Sequence, residues 1–392
     1  MWHREESCRV CGNPTKHLFA FGQIPFITSN NESEATKRSF VNGATSLTLQ
    51  SCSLCCHLQL EEVVESDILY ESFSYRSEFT QGLLSHFEEI VSFIMVRLQV
   101  SDPVIIEAGS NNGSFLSHCQ SKGATVVGIE PSKTLADKAN SDGLLTLNGY
   151  FNSETSTAAL GVVGPADCFY VANTLANVDE LQEFLSAANN CLKPNGILLV
   201  DTQDGEAVID HLLIDTIYHE HLNYFTEYSL SRLAAKYGFY LEQTIRHHSK
   251  GGSMLCVFSK SPCKSKAVLE PKNFGDRLSN FSKNVDELRK AVRHCLQADS
   301  RLLAFGSSVG CSMLANFFGF NERVLAVLDD NPQTDAILTA NGPIPVVHTS
   351  SVVTYNADSI ILLAHRYEDM IRQSLFAAGL KDTTEIFNPW KH

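Results

Sequence analysis

The 392-residue sequence predicts an α/β protein in which two Rossmann-like units follow a small cysteine-rich N-terminal domain. Three observations carry this reading. Short apolar runs that end in glycine or a polar residue alternate with helical stretches, first between residues 104 and 202 and again between 301 and 365. A Lys- and Pro-containing segment and a long helix separate the two series. Two Cys-x2-Cys pairs stand near the start. The length itself favours two or three cores over one.

Composition narrows the function. A hydrophobic fraction of 44% suits a globular protein, and no apolar run approaches the roughly 20 residues a membrane helix needs. The opening MWHREESCRVCG is polar and charged, unlike a signal peptide. The net charge of −14 argues against a general nucleic-acid binder, whose affinity rests on neutralising phosphates. Cys119, Cys168, Cys191, Cys256, Cys263, Cys295 and Cys311 are scattered singly, as reduced thiols usually are. The expectation is a cytoplasmic monomer that acts on a small molecule, with neither nucleic acid nor membrane as partner.

Residues 1–65 form the first block. CRVC (Cys8, Cys11) and CSLC (Cys52, Cys55) are two knuckles, each able to curl two sulfurs onto one ion. Four sulfurs leave no open position, so the expected zinc is structural, holding together a block too small for its own core. Cys56 and His57 are adjacent residues that point apart and do not compete.

Residues 66–260 form the second block. A helix is expected over 80–98, then strands at VIIEAGS (104–110), ATVVGIE (124–130), ADCFYVAN (166–173) and GILLVDT (196–202). Between the first strand and the next helix lies Glu107-Ala-Gly109-Ser110-Asn111-Asn-Gly113, an E-x-G-x-x-x-G loop. A glycine there lets backbone approach a ligand at a helix N-terminus. The second strand ends at Glu130, where a carboxylate can accept bonds from both hydroxyls of a ribose. Loop and carboxylate together resemble class I S-adenosylmethionine-dependent methyltransferases; an NAD-binding domain is the competing reading. In the former, the segment from Asn173 through Leu175 to Val178 lies near the sulfonium.

TIYHEHLNYF (216–225) gathers two histidines, a glutamate and two tyrosines. His219 and His221 are two residues apart, so the four-residue spacing of a metalloprotease helix is absent. On a helix Tyr218 and His221 would share a face; on a strand His219 and His221 would align. Acid–base work fits an imidazole tuned by a neighbouring carboxylate or phenol. A buried patch of hydrogen-bonded His and Tyr fits equally.

Residues 261–392 form the third block. After the linker SPCKSKAVLEPK (261–272) comes the helix FGDRLSNFSKNVDELRKAVRHCL, then strands at RLLAFGSS (301–308), RVLAVLDDN (323–331) and SIILLAH (359–365).

Taken together, CRVCG, CSLC, EAGSNNG, GIEPS, TIYHEHLNYF and KGGSM resemble the three-domain sugar C-methyltransferases of deoxysugar and natural-product biosynthesis, over nearly the whole chain. The resemblance implies a zinc domain (1–65), a methyltransferase domain (66–260) and a Rossmann-like substrate domain (261–392). It implies methyl transfer from S-adenosylmethionine to a carbon next to the ketone of a nucleotide-linked 4-keto-6-deoxy sugar. His221 would be the base, assisted by Tyr218 and Glu220, and Tyr75 falls near a further active-site tyrosine. The departures cluster on the acceptor side. Asn177 and Lys250 stand where the family has histidines; Gly310 and Thr334 stand where it has lysines. Methylation of oxygen or nitrogen on another acceptor, or a scaffold without turnover, are the alternatives.

Overall fold

The computed structural model describes residues 2–26, 44–66, 69, 83–297 and 301–391. Tyr75 lies outside the described residues.

The centre of the molecule is a seven-stranded sheet. Its order is Tyr240–His247, Ser253–Ser259, Leu192–Gln203, Ala166–Ala172, Val104–Ala108, Thr125–Glu130, Thr146–Asn148. The last five are parallel; the first two pair antiparallel. Both faces are covered, which is why these strands read as continuous apolar runs. Ile106, Phe169, Val171, Leu198 and Val200 pack on one side with Phe184, Leu185 and Leu233. Ile105, Tyr170, Ile197 and Leu199 pack on the other with Phe87, Ile90 and Ile94 of the helix Leu83–Leu98. Strand order reverses direction between Val104–Ala108 and Ala166–Ala172, and ligands bind outside the carboxyl ends of strands at such a point.

The C-terminal sheet has six strands, in the order Ala336–Thr339, Gly342–His348, Val324–Asp329, Leu302–Phe305, Ser359–Leu362, Glu385–Phe387. Only the hairpin Ala336–Thr339 with Gly342–His348 is antiparallel. The helix Phe274–Gln297 buries Phe281, Val285, Leu288, Val292 and Leu296, a spacing of three, four and seven that keeps one stripe inward.

The N-terminal residues do not close a core alone. Their four-stranded sheet, in the order Asn223–Tyr224, Leu58–Leu60, Ala44–Ser51, Lys16–Pro25, takes its edge strand from the far end of TIYHEHLNYF. Phe21, Leu47, Leu49 and Leu58 share one cluster with Ile214 and Ile217 and with Phe281, Phe317 and Phe318. The segment 208–224 is therefore wedged between the N-terminal sheet and the C-terminal unit. Among the described residues no helix is long and apolar enough to cross a membrane.

Candidate active site

The loop after Val104–Ala108 turns by left-handed backbone at Gly109 (φ +73°), Asn111 (φ +51°) and Gly113 (φ +79°). Gly109 is needed for a second reason. A Cβ there would stand 2.0 Å from the Thr174 hydroxyl oxygen, so loop and the segment after Ala166–Ala172 touch at backbone distance. Glu130 lies behind the loop, accepting from the backbone N–H groups of Asn111 and Ser132, both at 2.8 Å. Burial raises its pKa, and those two N–H groups oppose the rise. Glu107 is buried, one of its oxygens has no partner among the described residues, and burial beside Glu130 raises its pKa well above the usual carboxylate range. Ser110 also keeps a buried hydroxyl without a partner.

A cleft of about 640 Å³ opens in front of this loop. It is lined by Gly109, Ser110, Asn111, Glu130 and Asn173 on one side and by Tyr218, Glu220, His221 and Lys250 on the other. The structure thus brings the two expected half-sites into one cavity. Leu175 is not among the lining residues; its side chain is buried in the core of the central sheet. Gly113 is the left-handed N-cap of the helix Ser114–Ser121 and does not line the cleft either. Ser308, Val309, Gly310, Arg366 and Tyr367 close the cleft from the C-terminal unit.

Tyr218 to His221 is neither helix nor strand but a tight turn, closed by the His221 N–H donating to the Tyr218 carbonyl at 2.9 Å. The turn reproduces the three-residue neighbourhood of a helix. The two rings lie 4.2 Å apart, and the Tyr218 hydroxyl stands 3.0 Å from His221 Nε2. His221 Nδ1 lies 2.8 Å from the Thr216 carbonyl. A carbonyl only accepts, so Nδ1 carries the proton and Nε2 is the basic nitrogen, with the Tyr218 hydroxyl donating to it. Burial, with the Lys250 charge adding, pushes the His221 pKa down to about 3. The imidazole is therefore neutral at physiological pH. Glu220 is driven the other way: burial lifts it to about 8 against the pull of Lys250, and one of its oxygens has no partner among the described residues. His219 points away, its Nε2 donating to the Ser46 carbonyl at 3.3 Å and its ring edge-on to Phe26.

Several site features were not singled out by sequence. Asp201 accepts from His86 at 2.6 Å and His247 at 3.0 Å, and burial alone would raise its pKa, but these bonds outweigh burial and hold it below the usual range. The two imidazole rings lie 4.3 Å apart with planes only 31° from parallel. The three side chains form a hydrogen-bonded triad whose ligand atoms all lie within 4.8 Å of one another. An acidic residue at a strand's carboxyl end, in GILLVDT, was the available signal. Asp215 pairs with Arg366 at 2.6 Å, and Arg9 with Asp179 at 2.9 Å, each joining two blocks of the chain.

The four cysteines expected to hold zinc come together. Cys8 and Cys55 sulfurs are 3.5 Å apart, Cys11 and Cys52 likewise, and all four lie within 4.8 Å of one another. Four thiolates at roughly 2.3 Å from one ion have edges near this length, so the donor set fits zinc. Cys56 contacts Glu270 and His57 bonds Asn223, both outside the cluster.

Two family models match successive parts of the chain. Residues 83–244 match the model of a methyltransferase domain, and residues 249–386 match a C-methyltransferase C-terminal domain. The C-methyltransferase NovU of Streptomyces niveus is 23% identical over 382 residues, covering 92% of this chain and 90% of that protein. Among solved structures, a possible histamine N-methyltransferase from Thermotoga maritima is 20% identical and covers 46% of this chain and 92% of its own, with a TM-score of 0.34. Magnesium protoporphyrin IX methyltransferase from Synechocystis PCC 6803, with bound S-adenosylmethionine, is 13% identical and covers 45% of this chain and 79% of its own, with a TM-score of 0.35. The matched domains make this chain an S-adenosylmethionine-dependent methyltransferase. With both domains in this order and a relative aligned along nearly the full length, the chain is similar to C-methyltransferases.

Proposed function

We propose that the protein methylates a carbon next to a ketone, on a nucleotide-linked 4-keto-6-deoxy sugar, with His221 as general base. One observation carries this reading: a single cleft is lined both by the glycine loop with Glu130 and by Tyr218, Glu220 and His221. The loop fits the cofactor, because Gly109 leaves room only for backbone and Glu130 faces the cavity at the strand end. When bound, S-adenosylmethionine supplies an electrophilic methyl group. Glu130 would hold the ribose, and Gly109, Ser110, Asn111 and Asn173 would line the rest of the donor site.

The chain's own residues handle the proton. A carbon beside a ketone becomes a nucleophile once its proton leaves. The lone pair of His221 Nε2 already receives the Tyr218 O–H, so the route runs through the phenol. Tyr218 oxygen takes the substrate proton as its own hydrogen passes to Nε2, and the Thr216 carbonyl holds the ring throughout. Glu220, protonated at neutral pH, is a donor in the same cavity. We assign zinc-binding, methyltransferase and substrate roles to residues 1–65, 66–260 and 261–392, with Cys8, Cys11, Cys52 and Cys55 on a structural zinc.

A second reading, methylation of another small acceptor, draws on one observation. The glycine loop of the C-terminal unit is already filled from within. A Cβ at Gly310 would meet the Asp215 carbonyl oxygen at 2.0 Å, and Ser307 bonds Asp329 by both its N–H and its hydroxyl.

Proton exchange separates the two. A nucleoside-diphosphate 4-keto-6-deoxyhexose incubated with enzyme in D2O, without methyl donor, should take up deuterium beside the ketone. His221→Ala should abolish that uptake. Uptake unaffected by His221→Ala removes the base assignment, and no uptake with native enzyme removes the keto sugar.

A further inference from the structure

We propose that Lys250 is a catalytic residue whose ammonium group stabilises the oxygen of the enolate. The inference rests on the enolate reading above and deepens it.

The backbone at this position is strained. Lys250 is a non-glycine residue at φ +52° in the short turn Ser249–Gly251 between two antiparallel strands. Such a conformation persists only where its surroundings hold it, and it clusters at functional sites. Here the following glycines are pinned. A Cβ on Gly251 would stand 2.9 Å from both Arg366 Cδ and Leu213 Cδ2, and one on Gly252 would stand 2.6 Å from the Ala207 Cβ. The Gln203 side chain donates to the Lys250 carbonyl at 3.4 Å. The turn carries Lys250 to the cleft wall beside Glu220 and His221.

The charge there is offset only from a distance. Among the described residues, Lys250 has no carboxylate within ion-pair distance. The two carboxyl groups in electrostatic reach are Asp201 and Glu220. Asp201 is already engaged by His86 and His247. Glu220 holds its proton at neutral pH. Burial disfavours this cation and lowers the pKa of Lys250, a cost that Asp201 and Glu220 offset only in part. That cost is relieved when an anion forms opposite it. In the proposed reaction the C–H bond breaks, the proton passes to Tyr218 and thence to His221, the bonding pair becomes the C=C bond, and the carbonyl π pair moves onto oxygen. That oxygen is the anion Lys250 meets, and a donor that strengthens as charge develops lowers the barrier instead of tightening substrate binding.

Two probes test this, each with native enzyme, Lys250→Met and Lys250→Arg, and with S-adenosylhomocysteine binding as the check that each variant is folded. In D2O with the keto sugar, Lys250→Met should lose about 100-fold in proton exchange, as the loss of one oxyanion donor does, with KM nearly unchanged. Lys250→Arg should keep part of the rate. The second probe is 4-nitrophenol, whose anion mimics an enolate and is read by its visible absorbance. Native enzyme should bind it as the phenolate, and Lys250→Met should lose about tenfold in affinity. Unchanged exchange in Lys250→Met, or phenolate binding that ignores the substitution, overturns the proposal. A raised KM with unchanged exchange also overturns it, since Lys250 would then hold a ground-state anion such as a diphosphate. Phenolate binding that depends on Lys250, in an enzyme that exchanges no proton from the keto sugar, leaves Lys250 in place and rejects only the sugar.

Discussion

Glu220 and His221 are sequence neighbours that burial drives in opposite directions, the carboxyl up to about 8 and the imidazole down to about 3. Both are uncharged at neutral pH, an acid beside a base. The carboxyl has a consequence for stability. Unfolded, Glu220 ionises near 4.5; folded, near 8. Between those values the folded chain holds the extra proton, so stability falls as pH rises across that window. Glu220→Gln removes the titration. Its melting temperature should gain on the native protein steadily from pH 5 to pH 8, by a difference worth a few kcal/mol at most. Scanning calorimetry at several pH values decides this, and a pH-independent gap would sink it. The sequence already excluded a metalloprotease helix from the His219–His221 spacing and set Tyr218 three residues from His221. Which imidazole nitrogen is basic was not legible, because it depends on the carbonyl of Thr216, and only the fold of the turn brings that carbonyl to Nδ1.

The parallel strands were legible as elements because both their faces are buried, which leaves a continuous apolar run in the sequence. Tyr240–His247 was not: as an edge strand it is half covered, and YLEQTIRH shows neither an apolar run nor clean alternation. The strand Asn223–Tyr224 is two residues long and exists only by pairing with Leu58 and Gln59, a long-range contact with no local signature. Lys250 stood out by sequence, yet its effect depends on glycines pinned by Leu213 and Ala207. Glycine packing gives the prediction at this scale. The helix Val309–Phe318 meets the wedge segment at Gly310, against the Asp215 carbonyl oxygen. Gly310→Ala should cost about 1–3 kcal/mol, as overpacking does. Gly161, late in the helix Ser153–Val163, faces open space without left-handed backbone. Gly161→Ala should instead stabilise by about 0.5–1 kcal/mol through helix propensity. Urea titration of both variants measures the pair. Equal midpoints would mean that the helix and the wedge do not meet as closely as the 2.0 Å approach requires.

At the scale of the whole molecule, the cysteine cluster sits far from the chemistry in sequence but is tied to it in space. Cys8, Cys52 and Cys55 share a core with Phe225 and Leu230 of the central unit. Arg9, inside the first knuckle, pairs with Asp179, which lines the cleft two residues beyond Asn177. Gln59 and Leu58, just past the second knuckle, pair with the strand that follows His221. Loss of the proposed zinc would release both knuckles, and with them the segment from Asn177 to Asp179 and the turn from Tyr218 to His221. The effect should therefore reach beyond the N-terminal block. Elemental analysis should find about one zinc per chain, and Cys55→Ser should lose it. Removing a structural metal removes folding free energy, so the melting temperature should fall by several degrees or more. Proton exchange should fall with it, because Tyr218 and His221 lose the sheet that fixes their turn. A metal-free protein that melts unchanged rejects the structural zinc, whereas lost zinc and lowered melting with full exchange activity would show that the knuckles stabilise the chain without positioning the site.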